Sequence, residues 1–224
     1  MYPKHVAIVG AAGNLGTGIL QECIQHGVRV TAIVRSRPER IATADLPAGS
    51  RVAVVTSLAD VSALTEAFGG CEAVLFATGV TGTSSDATAL LSRNMAAVEE
   101  ALKASGVDRV LVSSSLLASA VGEPSSFLIN AFSWLPGKMG AGAMEFKAVS
   151  AALGEGTWKE LKWTLVRAAC YPSGAEEDAV AAENWNAGLN SYMPVSFKAM
   201  GRWMLQEAAE SHFIRLSPLV SRKK

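Results

Sequence analysis

Three features of the sequence predict an α/β fold built on a doubly wound, mostly parallel sheet. Short β-branched runs alternate with longer helical patterns, the rhythm of βαβ units. A glycine-rich turn joins the first run to the first helix. Half of the 224 residues are apolar, enough for a sizeable core. The length suits one large domain, and no internal repeat or long linker interrupts it, so residues 1–224 are read as a single unit.

The elements follow in order. His5 to Val9 is the first strand, and a helix begins near Asn14 with Leu15, Ile19, Cys23 and Ile24 at helical spacing and Gly27 as its C-terminal cap. Arg29 to Val34 and Arg51 to Val55 are the second and third strands. Asp60 caps a helix that reaches Phe68 and stops at Gly69-Gly70. Ala73 to Ala77 is the fourth strand, Asp86 to Ser105 a long helix closed by Gly106, and Arg109 to Ser113 a fifth strand whose apolar run suits burial on both faces. Trp163 to Arg167 is the sixth strand. A late helix covers roughly Ser196 to Glu210, and Phe213 to Leu216 is expected to add an edge strand. Leu116 to Ala143 breaks the rhythm with an apolar stretch that holds Phe127, Phe132 and Trp134, and is read as a loop over the substrate site or, equally, as a packed excursion or subunit contact.

Composition narrows the function. Twenty Lys and Arg balance twenty Asp and Glu, so the overall charge offers no footprint for nucleic acid. Cys23, Cys71 and Cys170 lie far apart, without metal or disulfide spacing, and the three histidines show no metal pattern either. That cysteine pattern makes a reduced cytoplasm the simplest compartment, the N-terminus lacks the features of a signal peptide, and no apolar run is long enough for a membrane span.

The strongest local signal is Gly10-Ala11-Ala12-Gly13-Asn14-Leu15-Gly16, placed between a strand and a helix. Gly10 permits the tight turn, Gly13 lets backbone approach a diphosphate, and Gly16 lets the helix pack close to the sheet. Backbone N–H groups at the helix start then face the negative charge. Together with the strand rhythm, this specifies a single-domain Rossmann fold that binds a dinucleotide. An acid at the tip of the second strand would hold the ribose hydroxyls of NAD. Here the strand ends Val34-Arg35-Ser36-Arg37, with Arg40 following. Guanidinium groups pair with a 2′-phosphate, so the reading is NADP(H), with Arg35 the first candidate and Ser36, Arg37 and Arg40 behind it.

Read together, these residues resemble the atypical short-chain dehydrogenase/reductase group, including its NmrA-like and biliverdin-IXβ-reductase (flavin reductase) members. The resemblance covers most of the chain. It runs through the glycine loop, Val34-Arg35, Ala77-Thr78-Gly79, Ala104-Ser105-Gly106-Val107-Asp108-Arg109-Val110, Ser113-Ser114-Ser115 and Leu161 to Arg167. It implies that Thr78 and Gly79 flank the dinucleotide, that Ser113 and Ser115 end a strand facing the nicotinamide and substrate, and that backbone around Ala169, Cys170 and Tyr171 supports the nicotinamide. Where such proteins often carry Gly-Asp after the third strand, this chain has Thr56-Ser57-Leu58, so Ser57 and Leu58 become the candidates beside adenine.

Catalytic candidates are fewer. The wider superfamily uses a Tyr-x-x-x-Lys pair whose tyrosine acts as general acid or base. Lys147 fits the lysine position at the start of the helix after the long loop, but Ala143 stands where the tyrosine would be. Lys147 is a candidate for the nicotinamide ribose, Ser115 for a substrate carbonyl or the carboxamide, and Tyr171 for a proton donor, although Tyr171-Pro172 reads more readily as a turn. The leading expectation is an NADPH-dependent oxidoreductase that passes hydride to a conjugated or aromatic small-molecule acceptor. The alternatives are a non-catalytic NADP(H) sensor and an assembly factor acting through a protein partner.

Overall fold

Near-continuous apolar strands need cover on both faces, and the chain supplies it with helices on each side of one sheet. The computed structural model describes residues 1–78, 90–116, 118–123, 138–172, 177–182 and 193–222. The elements are β1 (His5–Val9), α1 (Asn14–His26), β2 (Arg29–Val34), β3 (Arg51–Val54), α2 (Val61–Phe68), β4 (Ala73–Phe76), α3 (Leu91–Ser105), β5 (Arg109–Ser115), α4 (Lys138–Gly154), β6 (Lys162–Ala168), β7 (Cys170–Tyr171), β8 (Ala179–Ala182), β9 (Val195–Ser196), α5 (Phe197–Glu210) and β10 (Leu219–Arg222). Eight strands form one sheet in the order β3-β2-β1-β4-β5-β6-β10-β8. Every pair is parallel except β10 with β8. Strands β7 and β9 pair separately. This is a Rossmann-type α/β architecture, and its strand order reverses between β1 and β4.

Two cores follow from strand alternation. Val6, Ile8, Val30, Ala32, Leu75 and Leu111 face α1 and α5. Ala7, Val9, Ile33, Val74, Phe76 and Val110 face α2 and α3, where Trp158 is fully buried and donates its indole N–H to the Met95 carbonyl at 2.9 Å. The α1–α5 crossing depends on small residues. A Cβ at Gly18 would overlap the Phe197 carbonyl, and one at Gly201 would lie 2.8 Å from the Ile19 nitrogen. Beside this contact the fully buried Glu22 accepts from Arg202 Nε at 3.0 Å.

A second buried ion pair ties β5 to α5. Arg109 Nη2 donates to Glu207 Oε1 at 2.7 Å, with both side chains almost wholly enclosed. Its Nη1 donates to the Lys162 carbonyl and to Thr164 Oγ1. Glu207 also accepts from the Phe213 and His212 amides, which anchors the turn after α5.

Three sequence expectations need correction, and three strands are additions. Phe213 to Leu216 is not an edge strand: only Leu216 bridges, to Thr164, because Arg215 takes a left-handed φ of 57° and turns the chain. The strand forms later, at Leu219–Arg222, and β8 covers its outer side. The long helix begins at Leu91 rather than Asp86; Leu90 is extended at its N-cap, and Glu145 of α4 accepts the Ser92 amide at 3.0 Å. Residues 86–89 lie outside the described residues. The segment expected to stay a loop to Ala143 is already helical from Lys138, so Lys147 sits mid-helix rather than at a helix start. Phe127, Phe132 and Trp134 lie outside the described residues. Finally, β7, β8 and β9 were not anticipated.

Two predictions follow from the buried polar groups. Glu207→Ala strands the Arg109 guanidinium in the core and is expected to cost about 3–5 kcal/mol in urea unfolding; a loss below about 1 kcal/mol would contradict the ion pair's structural role. The other concerns His5, whose Nδ1–H donates to the Gly70 carbonyl and whose Nε2 accepts from Thr31 Oγ1. Burial pushes this imidazole below its ordinary value of 6.5, with the Arg29 and Arg51 charges adding to the shift and the Gly70 bond opposing it. A lowered folded pKa means that the unfolded chain takes up the proton first. This contribution is therefore complete above pH 6.5 and is lost as pH falls towards the depressed folded value. The melting temperature should drop over that interval, and His5→Asn should flatten the drop.

Candidate functional site

The turn from β1 to α1 shapes the C-terminal edge of the sheet. Gly10, at φ +86°, adopts a backbone conformation that side-chain-bearing residues avoid. Its N–H and that of Ala11 both donate to the Ile33 carbonyl, at 3.0 and 3.1 Å, so the turn is pinned to β2. The Gly13 amide donates back to the Gly10 carbonyl at 2.9 Å. A Cβ on Gly16 would overlap that same carbonyl and lie 2.7 Å from the Ala11 Cα. The helix therefore starts closer to the turn than any residue but glycine permits. Its N-cap, Gly13, supplies no side-chain acceptor, and no acid stands in the first turn. The first amides of α1, beside the cleft, thus have no side-chain cap, and a helix terminus of that kind suits an anion.

Above the switch point lies a cleft of about 440 Å³. It is lined by residues at the C-terminal ends of neighbouring strands: Val9 and the turn residues Gly10, Ala12 and Gly13; Ile33 and Val34; Val55, Thr56 and Leu58; Ala77 and Thr78. Arg35, Ser36, Arg37 and Arg40 complete the wall. Arg37 has a left-handed φ of 59°, and the 3-10 turn Pro38–Arg40, closed by the Arg40 amide on the Arg37 carbonyl at 3.1 Å, brings Arg40 back to the same cleft. Arg37 and Arg40 have no ion pair with the described residues, and no carboxylate stands among the described lining residues. The cleft thus runs from the glycine turn before α1, past apolar strand ends, to a cationic end.

The structure sorts the sequence candidates. Gly10, Ala12, Gly13, Arg35, Arg40, Leu58 and Thr78 line the cleft, while Asn14, Leu15 and Gly16 form the first turn of α1 beside it. Ser57 does not line it; its Oγ accepts the Ala59 amide at 3.1 Å. Gly79 lies outside the described residues. Ser113 and Ser115 are half-buried at the end of β5, and the Ser115 carbonyl accepts from Ala118 at 2.9 Å. Cys170 is half-buried in β7, and burial pushes its thiol up to about 12, which keeps it protonated at neutral pH.

Tyr171 follows Cys170, and its hydroxyl donates to Glu177 Oε2 at 3.1 Å, with the Arg222 guanidinium 6.0 Å from its ring centre. Lys147 is exposed on α4 and lines a separate cleft of about 260 Å³ with Ser119, Glu123, Ser150 and Glu155. Ala143, at the missing-tyrosine position, is buried. Sequence reasoning named Ser36 and Arg37 only as secondary candidates and missed the strand-end walls Val9, Ile33, Val34, Val55 and Ala77. Their signal was position alone: each ends a parallel strand beside the switch point. Among the described residues there is no cluster able to hold a metal ion, and no helix is long and apolar enough to cross a membrane.

Comparison with known proteins agrees with this geometry. A family model described as NAD(P)H-binding matches residues 10–210. A short-chain dehydrogenase/reductase from Veillonella parvula, solved in complex with NADP, is similar over 99% of this chain and 95% of its own, at 20% identity and a TM-score of 0.70. A Rossmann-fold NAD(P)-binding family protein from Shigella flexneri is similar over 99% of this chain and 94% of its own, at 18% identity and a TM-score of 0.66. A Streptococcus pneumoniae protein named for a proposed NADH-flavin reductase activity matches over 98% of this chain and 100% of its own, at 19% identity and a TM-score of 0.74. At such identities the structural likenesses speak for the fold.

The closeness of Gly16 to the turn is testable. Gly16→Ala must displace backbone rather than a flexible side chain, and is expected to cost about 1–3 kcal/mol in urea unfolding. Unchanged stability would show that the turn is looser than described.

Proposed function

The chain belongs to the NAD(P)H-binding family, and from that premise we propose that it is an NADPH-dependent oxidoreductase of the atypical short-chain type, acting on a conjugated or aromatic small-molecule acceptor. One observation carries the cofactor choice: three guanidinium groups share a cleft with the glycine turn, without a carboxylate among the described lining residues. A carboxylate there would serve free ribose hydroxyls and repel a 2′-phosphate, whereas guanidinium groups favour the phosphate.

The residues present fit the dinucleotide. Gly10, Ala12, Gly13, Asn14, Leu15 and Gly16 are proposed to hold the diphosphate at the start of α1. Arg35, Arg37 and Arg40 are proposed to hold the 2′-phosphate, with Leu58 against the base and Thr78 along the dinucleotide. When bound, the cofactor supplies the hydride. The protein's own share is positioning. Ser115 pairs in register with Ala168, so the ends of β5 and β6 lie side by side, and Tyr171 follows three residues later. We assign Ser115 to orienting the acceptor or the carboxamide, and the backbone at Cys170 to supporting the nicotinamide end. With Ala143 in the tyrosine position, the acceptor is one whose reduced form takes its proton from water or from Tyr171. Lys147 lines a separate cleft and is given no role in this reading. A reducing, cytoplasmic compartment is in keeping with the free state of Cys23, Cys71 and Cys170.

Two experiments test this reading. Oxidation of NADPH is followed by the loss of its absorbance with flavins, quinones, tetrapyrroles and aldehydes as acceptors. Turnover with one of the conjugated acceptors is expected, and tight binding without any turnover would replace the enzyme with a redox sensor. In equilibrium titrations, Arg37→Ala combined with Arg40→Ala should weaken NADPH by about tenfold or more while leaving NADH within about threefold. Equal losses for both would remove the 2′-phosphate assignment.

A further inference from the structure

The cleft's wall beyond β3 determines how the nucleobase is read. On the NADP(H) reading of this cleft, a diphosphate on the β1 turn and a 2′-phosphate at the β2 tip would leave the base of the same nucleoside beside β3, the next strand in the order β3-β2-β1. There the chain presents Val55, Thr56 and Leu58. The two neighbouring polar side chains, Ser57 and Asp60, are not among the residues lining the cleft, and each holds a local backbone amide. Ser57 Oγ accepts the Ala59 amide, and Asp60 Oδ1 accepts the Ala63 amide at 3.0 Å as the N-cap of α2. Val55 and Leu58 are buried and give the base an apolar bed. Thr56 is exposed, and its hydroxyl has no hydrogen bond to the described residues.

A hydroxyl both donates and accepts, so Thr56 serves the 6-amino group of adenine and the 6-oxo group of hypoxanthine equally. A carboxylate would do otherwise, since it accepts from the amine and repels the oxygen. Resting on the reading of this cleft as the NADP(H) site, we propose that the protein selects its coenzyme by the 2′-phosphate and is indifferent to the 6-substituent of the purine, so that its ligand class is 2′-phosphorylated purine dinucleotides and not adenine dinucleotides alone. The selectivity is concentrated at Arg35, Arg37 and Arg40, where the ligand carries charge, while apolar contact with Val55 and Leu58 is common to either base.

The test compares NADPH with reduced nicotinamide hypoxanthine dinucleotide phosphate in fluorescence titrations of the whole protein. The two dissociation constants are expected to agree within about threefold. Thr56→Asp should create discrimination, raising the ratio of hypoxanthine to adenine dissociation constants by about tenfold. Because the ratio is the readout, a general weakening by the added charge does not affect it. A wild-type preference for adenine above about tenfold, with NADPH bound normally, would overturn base indifference while leaving the NADP(H) site in place. Failure of both dinucleotides to bind would remove the NADP(H) reading itself, and this proposal with it.

Discussion

The backbone contact between the start of α1 and the Gly10 turn governs the rest of the molecule's C-terminal edge. Gly16 sits where a Cβ would overlap the Gly10 carbonyl, and Gly10 and Ala11 both hang from the Ile33 carbonyl of β2. The first amides of α1 have no side-chain cap at the point where strand order reverses. A cleft at that point is a consequence of topology, and the diphosphate seat proposed for it rests on the helix terminus. Only the cationic end is chosen by side chains, through three arginines within six residues of the end of β2.

Tight supports lie behind this edge. Gly18 and Gly201 bring α1 and α5 into backbone contact, and buried Glu22 meets Arg202 beside it. The Arg109–Glu207 pair then fixes α5 to β5, while the Glu207 carboxylate holds the turn that leads to β10. Such pairs add little net stability compared with apolar replacements, but losing one partner is costly. Their value here is registration: they leave one way to seat α5 against the sheet and thus fix the platform from which α1 meets the glycine turn.

Much of this was legible in the sequence. The β1 and β2 boundaries, the Asp60 cap and the glycine stops at Gly27 and Gly106 follow from β-branched runs and from residues with strong positional preferences. The glycine loop and the arginines were legible because their chemistry is local. What escaped depends on distant partners. Ala179–Ala182 carries no strand pattern and becomes a strand by pairing with β10. Phe213 to Leu216 looks like a strand, yet Arg215 turns left-handed within it. Helix α4 starts in a stretch with Gly140 and Gly142, residues of poor helix propensity, and its Glu145 reaches across to α3. Ser57 is polar and well placed in sequence, but its hydroxyl closes a local turn, and the cleft receives Thr56 instead.

A crystal structure of the protein with NADPH addresses the central claim most directly. The account predicts the diphosphate on the backbone amides between Gly10 and Gly16, with the additional phosphate among Arg35, Arg37 and Arg40. A diphosphate bound elsewhere, or an additional phosphate directed away from all three arginines into solvent, would contradict it.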